Sequence, residues 1–85
     1  MQKYLCPVCG WFGLRDPPYD STGSPSYEIC CCCGFEFGFD DRSNGETYSS
    51  YRDKWVESGM PWFDPDTMPP NWNATAQLSR VVAKD

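Results

Sequence analysis

Four consecutive cysteines, Cys30 to Cys33, stand directly before a glycine in "YEICCCCGFEFGFDD", and Cys6 and Cys9 precede a glycine in "CPVCG". Cysteine thiolates are ligands for zinc and for iron. Twenty residues separate Cys9 from Cys30, so the chain carries two Cys-x-x-Cys pairs at the spacing typical of a tetrahedral four-cysteine site. The pattern predicts a bound metal ion.

The two pairs lie in segments that align with each other. When residues 5–11 are placed over residues 29–35, both segments run apolar residue, Cys, two residues, Cys, Gly, aromatic residue. Each is typical of a metal knuckle, in which the chain turns between two sulfur ligands and the glycine can adopt a positive φ. The alignment predicts one ion held by four ligands, which are Cys6, Cys9, Cys30 and Cys33.

The same alignment places Cys31 and Cys32 at the tip of the second knuckle, where the first knuckle has Pro7 and Val8. One interpretation is that they are small side chains beside a closed site. Another is that one of them is a reactive thiol or an exchanging ligand. A slip that replaces Cys30 by Cys31 as ligand is a third possibility, and the repeat argues against it.

The segments "CPVCGW" and "YEICCCCGFE", with two aspartates after them, resemble the cysteine-rich CPCC family of small bacterial proteins over residues 4–41. The family motif begins Cys-Pro-Cys-Cys-Gly, whereas this chain has Val8 in place of the inner cysteine and an extra thiol pair in the second knuckle. The four outer cysteine positions match. The resemblance implies a zinc-ribbon-like metal site, and the paired knuckles are also similar to those of rubredoxins.

The elements that position the cysteines are expected to be short antiparallel strands of a metal ribbon over residues 3–41. Prolines and a glycine interrupt the segment between the knuckles, which predicts a loop; they are Pro17, Pro18, Gly23 and Pro25. After the second knuckle, Phe35, Phe37 and Phe39 alternate with other residues, which predicts a half-buried strand. Gly38 within it indicates a bulge or a close backbone approach.

The second half of the chain is expected to cover this ribbon. Aromatic residues spaced i, i+3 and i+7 predict an amphipathic helix over residues 46–58, with Tyr48, Tyr51 and Trp55 on its buried face. Its N-terminal cap is either a box of Ser43 with Glu46 or Thr47.

Residues 59–73, which we call the aromatic strap, contain four prolines, Pro61, Pro65, Pro69 and Pro70. Trp62, Phe63 and Trp72 are expected to pack on the core, and the alternative is an exposed aromatic patch or a proline-rich ligand. A short helix follows, capped by Asn73 or Thr75. Its apolar face would contain Leu78, Val81 and Val82.

Together these elements predict an α+β fold in a single domain of residues 1–85, with the ribbon at 3–41 and the helix and strap at 42–85. A chain of this length buries a modest core and usually needs a staple. The metal ion would be that staple.

Composition limits the function. The chain has no histidine, and four thiolates would leave zinc no open coordination position, so we expect no enzymatic activity. A formal net charge of −5 without a basic cluster disfavours nucleic acid as a partner. The sequence carries no long apolar run and no signal-peptide core, so we expect no membrane association and a cytoplasmic location.

Three function classes remain. The first is a zinc-stabilised interaction or accessory module with a protein partner. The second is a rubredoxin-like iron electron carrier, because four thiolates also bind iron. The third is a thiol redox sensor that uses Cys31 or Cys32.

Overall fold

The computed structural model describes residues 3–82, and of Val82 the backbone alone. Its elements are β1 (Tyr4–Leu5), β2 (Phe12–Leu14), α1 (Tyr48–Glu57), a short 3-10 helix (Pro65–Thr67) and α2 (Ala74–Val82). The fold is therefore α+β, as the sequence predicts. None of the helices within residues 3–82 is both long enough and apolar enough to cross a membrane.

Strands β1 and β2 form an antiparallel hairpin around the first knuckle. Tyr4 pairs with Leu14 and Leu5 pairs with Phe12, and the register shifts between the two pairs. Around the second knuckle the corresponding pairing consists of one isolated antiparallel bridge between Ile29 and Glu36. These two residues align with Leu5 and Phe12 in the repeat, so the sequence repeat is also a structural repeat.

The predicted strand over residues 35–39 is wrong, because the chain turns from residue 37 onward. The carboxylate of Asp40 accepts from the backbone N–H of Glu36 at 2.9 Å, and that of Asp41 accepts from Gly38 N–H at 2.7 Å. These short-range bonds replace a ladder with a neighbouring strand. A Cβ on Gly38 would lie 2.7 Å from the side chain of Pro25, which confirms the predicted close approach.

The burial of the alternating phenylalanines agrees with the prediction for two of the three residues. Phe35 and Phe37 are fully buried, whereas Phe39 is 46% exposed because it lies in the turn. The ring of Phe35 packs edge-on against Tyr48 and Tyr51 of α1, at centroid distances of 5.5 and 5.0 Å. The predicted aromatic face of the helix therefore meets the buried phenylalanines.

Helix α1 begins two residues later than predicted. Thr47 is the N-cap and forms a capping box with Ser50, so the predicted box of Ser43 with Glu46 is wrong. The Glu46 carboxylate instead accepts from the Ser50 hydroxyl and pairs with Lys54.

The aromatic strap packs on the core through Met60, Trp62 and Trp72. Phe63 is 61% exposed, so its predicted burial is wrong. Its ring lies on Gly34 of the second knuckle, where a Cβ would approach it to 2.7 Å.

Helix α2 is capped by Asn73, whose side-chain oxygen accepts from Ala76 N–H at 2.9 Å. Leu78 and Val81 lie on the buried side as predicted. The predicted packing of the Val82 side chain lies outside the described residues.

Candidate metal centre

The structure brings the four predicted ligands together. The sulfur atoms of Cys6, Cys9, Cys30 and Cys33 all lie within 4.8 Å of one another, and all four residues are buried. The Sγ atoms of Cys6 and Cys33 are 3.9 Å apart, and those of Cys9 and Cys30 are 3.8 Å apart. A tetrahedron with zinc–sulfur bonds of about 2.3 Å has edges of about 3.8 Å, so this sulfur set fits one ion.

Each pair of sulfurs is held by the same knuckle geometry. In the first knuckle, Cys6 N–H donates to Trp11 C=O at 2.8 Å and Gly10 N–H donates to Cys6 C=O at 2.9 Å. At the equivalent positions of the second knuckle, Cys30 N–H donates to Phe35 C=O at 3.0 Å and Gly34 N–H donates to Cys30 C=O at 2.8 Å.

The turns need glycine after the second cysteine of each pair. Gly10 has a φ of 87° and Gly34 a φ of 84°, in a region that other residues enter at a cost. The repeat in sequence therefore encodes two copies of one local structure, which place two sulfurs each.

The tip carbonyls of the two knuckles are bound by groups from distant segments. The buried Arg52 guanidinium of α1 donates from Nε to Val8 C=O at 2.7 Å and from Nη2 to Pro7 C=O at 3.0 Å. In the second knuckle the strap takes this role, since Phe63 N–H donates to Cys32 C=O and Asp64 N–H to Cys31 C=O, both at 2.9 Å.

Both helices also bind the carbonyls that follow the tips. Tyr51 Oη of α1 donates to Cys33 C=O at 3.1 Å. From α2, Gln77 Nε2 donates to Cys9 C=O at 3.2 Å and Arg80 Nη1 donates to Gly10 C=O at 3.1 Å. Helices and strap thus surround the sulfur cluster with hydrogen-bond donors.

Sequence reasoning missed Arg52 and Gln77, although a signal was present. Arg52 follows Tyr48 by four residues, and Gln77 precedes Val81 by four, so each lies on the apolar face of its helix. A polar residue on a buried face needs a buried partner. The periodicity could have identified both residues, but it could not have named the carbonyls that they bind.

The electrostatics of the cluster favour a cation. Hydrogen bonds with Cys30 and then with the other thiols raise the pKa of Cys9, and a hydrogen bond with Cys30 is also the main reason that the pKa of Cys33 is raised. Burial opposes ionisation of Cys6, yet hydrogen bonds from the neighbouring thiols lower its pKa overall. Several buried thiols therefore cannot ionise together unless a positive ion replaces their protons.

The two tip cysteines have different environments. Cys31 is partly exposed in a cleft that Trp11, Ile29 and Arg15 also line. Cys32 is fully buried, and its Sγ accepts a hydrogen bond from Gln77 Nε2 at 3.3 Å. Neither belongs to the group of four sulfurs that could hold an ion.

Comparison with known proteins shows similarity to proteins of Bacillus subtilis (strain 168). No protein-family model matches the chain, and no solved structure matches it. It is 34% identical over 80 residues to the uncharacterized protein YoaQ, covering 78% of this chain and 68% of YoaQ. It is 32% identical over 81 residues to the uncharacterized protein YozI, covering 78% of this chain and 67% of YozI. The chain therefore belongs to the same family as YoaQ and YozI.

Proposed function

We propose that this chain is a small zinc-binding protein whose single ion is structural and whose folded surface serves as an interaction or accessory module for a protein partner. The observation that carries the proposal is the set of four buried cysteine sulfurs within 4.8 Å of one another. The resemblance of the two knuckles to those of the CPCC family supports zinc as the ion.

A structural role is supported by the donor set. Four thiolates complete the tetrahedral shell of zinc, so no position is left for water or substrate. The sequence also has no histidine to act as a general base. We therefore propose that the protein is not an enzyme.

Charge and surface composition support a protein partner. Four thiolates and one Zn²⁺ contribute −2, which changes the formal net charge from −5 to −7 and repels phosphate backbones. Several large apolar side chains are nevertheless exposed, including Phe12 at 58%, Tyr27 at 61% and Phe63 at 61%. We propose a cytoplasmic location, because cysteines remain reduced and able to bind a metal ion in a reducing compartment.

Metal analysis with a visible absorption spectrum tests the proposal on protein purified from its native source under reducing conditions. We expect one zinc ion per chain and no visible colour. A red protein with one iron would replace this proposal by a rubredoxin-like electron carrier.

The structural role is tested by a chelator, which should abolish the far-UV dichroism of the helices, with recovery on addition of zinc. A chelated, reduced chain that kept its native fold would contradict it.

Single substitutions test which sulfurs bind the ion. Cys6→Ser and Cys33→Ser each remove one of the four sulfurs, so both variants should lose tightly bound zinc. Cys31→Ser is the matched control within the same knuckle and should retain one zinc per chain. Zinc loss in Cys31→Ser together with retention in a Cys30→Ser variant would indicate the slipped register.

A thiol redox sensor is the second candidate, and the partial exposure of Cys31 favours it. Peroxide would accept two electrons and two protons from Cys31 and a neighbouring thiol, which would give a disulfide and two waters. Zinc release on peroxide treatment, measured with a chromogenic chelator, should then be slower in a Cys31→Ser, Cys32→Ser double variant. Equal release rates would eliminate this candidate.

A further inference from the structure

The cleft beside Cys31 contains two cations whose side chains have no partner within residues 3–82. All lysines and arginines of the chain except Lys84 lie in this range. Those that bind a backbone carbonyl or a carboxylate are Arg42, Arg52, Lys54 and Arg80. The other two are Lys3 and Arg15, and both line this cleft of about 320 Å³.

The register of the hairpin places these two cations together. Tyr4 of β1 pairs with Leu14 of β2, so the same register puts Lys3 opposite Arg15, one residue outside each strand. Like charges at opposite positions of an antiparallel pair repel each other and destabilise it. The fold therefore gains no stability from this pair, whereas a bound anionic group would relieve the repulsion.

The carboxylate that lines the cleft belongs to Glu28 and is held by the backbone. Its Oε2 accepts from Arg15 N–H at 3.0 Å, and its Oε1 accepts from Asp16 N–H at 3.1 Å. These bonds join the end of β2 to the second knuckle and do not involve the side chains of Lys3 and Arg15. Two cations and one carboxylate give the cleft a formal charge of +1 in a chain of −5.

Apolar side chains form another part of the cleft. The indole of Trp11 lies over Gly13, where a Cβ would be 2.3 Å from the ring, so it covers the backbone of β2. Ile29 also lines the cleft and is 42% exposed. Apolar surface beside cations favours a ligand that carries both an apolar group and negative charge.

The cleft continues along the surface, which favours an extended ligand over a small anion. A neighbouring cleft of about 490 Å³ shares Arg15, Glu28 and Ile29 with it and reaches Tyr27. A short acidic segment bound there senses mainly the charges within the Debye length, which is about 8 Å at physiological salt. A long polyanion is instead repelled by the net negative charge of the whole chain.

We propose that this cleft binds a short, extended acidic segment of a protein partner. Carboxylates of the segment pair with Lys3 and Arg15, and an apolar side chain next to them packs against Trp11 and Ile29. This inference rests on the proposed function, since it names the chemistry of the partner that an interaction module would recognise.

Selection from a displayed library of random peptides tests the inference on the protein as purified, with its metal content measured on the same sample. We expect the enriched peptides to carry at least two aspartates or glutamates next to an aromatic or aliphatic residue. One enriched peptide is then synthesised with a fluorophore, and fluorescence anisotropy measures its Kd.

Variants of the cleft show where the peptide binds. Lys3→Gln combined with Arg15→Gln should weaken the Kd about 10-fold, and added salt should weaken binding to the unaltered chain. Ile29→Ala should weaken the Kd about 5-fold through lost apolar contact. The matched control combines Arg42→Gln with Lys54→Gln, which changes the net charge equally but outside the cleft. It should keep the Kd within about 2-fold.

Every other outcome contradicts the inference. Enriched peptides without carboxylates, equal Kd values in the two double variants, or no enrichment at all would each overturn it. If no peptide were enriched and a fluorescent single-stranded oligonucleotide bound in a way that Lys3 and Arg15 determine, the cleft would be assigned to nucleic acid. A chain without zinc would contradict the structural ion, whereas a zinc-loaded chain that enriched no acidic peptide would contradict this inference alone.

Discussion

Arg52 is the residue through which the first helix holds the first knuckle. It is 8% exposed and donates to the carbonyls of Pro7 and Val8. A guanidinium can bind both carbonyls at once because its donors form a rigid planar fork. A shorter or single-donor side chain could not hold both.

Replacement of Arg52 by Met should therefore destabilise the protein. The variant keeps most of the aliphatic volume but leaves two carbonyls without their donors, so the free energy of unfolding should fall by about 2–4 kcal/mol. Urea unfolding of the zinc-loaded protein, followed by tryptophan fluorescence, measures this.

Arg42 supplies the matched control. It is exposed and donates from Nη2 to Gly23 C=O at 3.0 Å. Arg42→Met removes this exposed bond and the stacking of the guanidinium over the Tyr19 ring at 5.0 Å, so the free energy of unfolding should fall by about 1 kcal/mol, less than in Arg52→Met. Equal effects in the two variants would mean that the loss of a positive charge, and not the loss of the knuckle contacts, is responsible.

At the scale of elements, the N-cap residue determines where α1 begins. The sequence offers two candidates, the box of Ser43 with Glu46 and Thr47. The Thr47 hydroxyl accepts from Ser50 N–H at 2.9 Å, and the Ser50 hydroxyl accepts from Thr47 N–H at 3.0 Å. Both bonds satisfy donors that the first helical turn would otherwise leave unpaired.

Thr47→Ala should lower the free energy of unfolding by about 1 kcal/mol. Ser43→Ala is the paired variant, because Ser43 lies four residues earlier and does not cap the helix. It should have little effect in the same thermal or urea unfolding experiment. The reverse order of effects would show that the helix begins earlier in solution.

Helix α2 docks on the first knuckle at a backbone contact. A Cβ on Gly10 would lie 2.3 Å from the Gln77 carbonyl oxygen, so only glycine lets the helix approach this closely. Gly23 has a similar φ, 85° against 87°, but nothing lies within 4 Å of a Cβ built there. The two glycines therefore separate backbone strain from steric contact.

Gly23→Ala should cost about 1–2 kcal/mol, which is the strain of a positive φ in a residue with a Cβ. Gly10→Ala should cost a further amount of about 1–3 kcal/mol, because α2 must move away from the knuckle. Chemical unfolding measures both, and zinc affinity should fall in Gly10→Ala alone. Equal costs would mean that α2 does not pack tightly on this knuckle.

At the scale of the whole molecule, aromatic rings supply much of the packing around the sulfurs. Trp11, Trp62, Trp72 and Trp55 form a continuous series of ring contacts, with centroid distances of 5.7, 5.2 and 6.4 Å. These four are all the tryptophans of the chain. Tryptophan fluorescence should consequently report on metal loss and on unfolding together.

The aromatic core also predicts a response to alkaline pH. Burial raises the pKa of Tyr48 and of Tyr51 to about 12, from about 10 in an unfolded chain. A raised pKa means that the folded state favours the neutral phenol. The contribution of these two phenols to the free energy of unfolding is therefore complete below pH 10. It is lost as the pH rises from about 10 to 12.

We expect the free energy of unfolding to decrease between pH 10 and pH 12, and to decrease less steeply in Tyr48→Phe. Urea titrations at fixed pH values across this interval measure the slope. Tyr27→Phe, at an exposed ring, is the control. A slope that changed equally in both variants, or in neither, would contradict the assignment to Tyr48.

The sequence by itself predicted what depends on short-range pattern. Alignment of the chain with itself identified both knuckles, because each is a local turn whose hydrogen bonds close within a few residues. The same holds for the aromatic face of α1, which is set by helical spacing. For the cap of α2 the sequence offered Asn73 and Thr75, and the bond from Ala76 N–H to the Asn73 side chain in the structure selects Asn73.

Tertiary structure decided what depends on distant partners. The turn after Phe35 depends on the carboxylates of Asp40 and Asp41, which bind nearby backbone N–H groups. The exposure of Phe63 depends on its position over Gly34. The alternation of residue types in the sequence does not contain this information. Arg52 reaches Val8 across 44 residues, and Gln77 reaches Cys9 across 68. For the same reason the sequence could not separate Cys31 from Cys32: adjacent residues of one type differ only in what the folded chain brings beside them, which for Cys32 is a buried amide from the last helix.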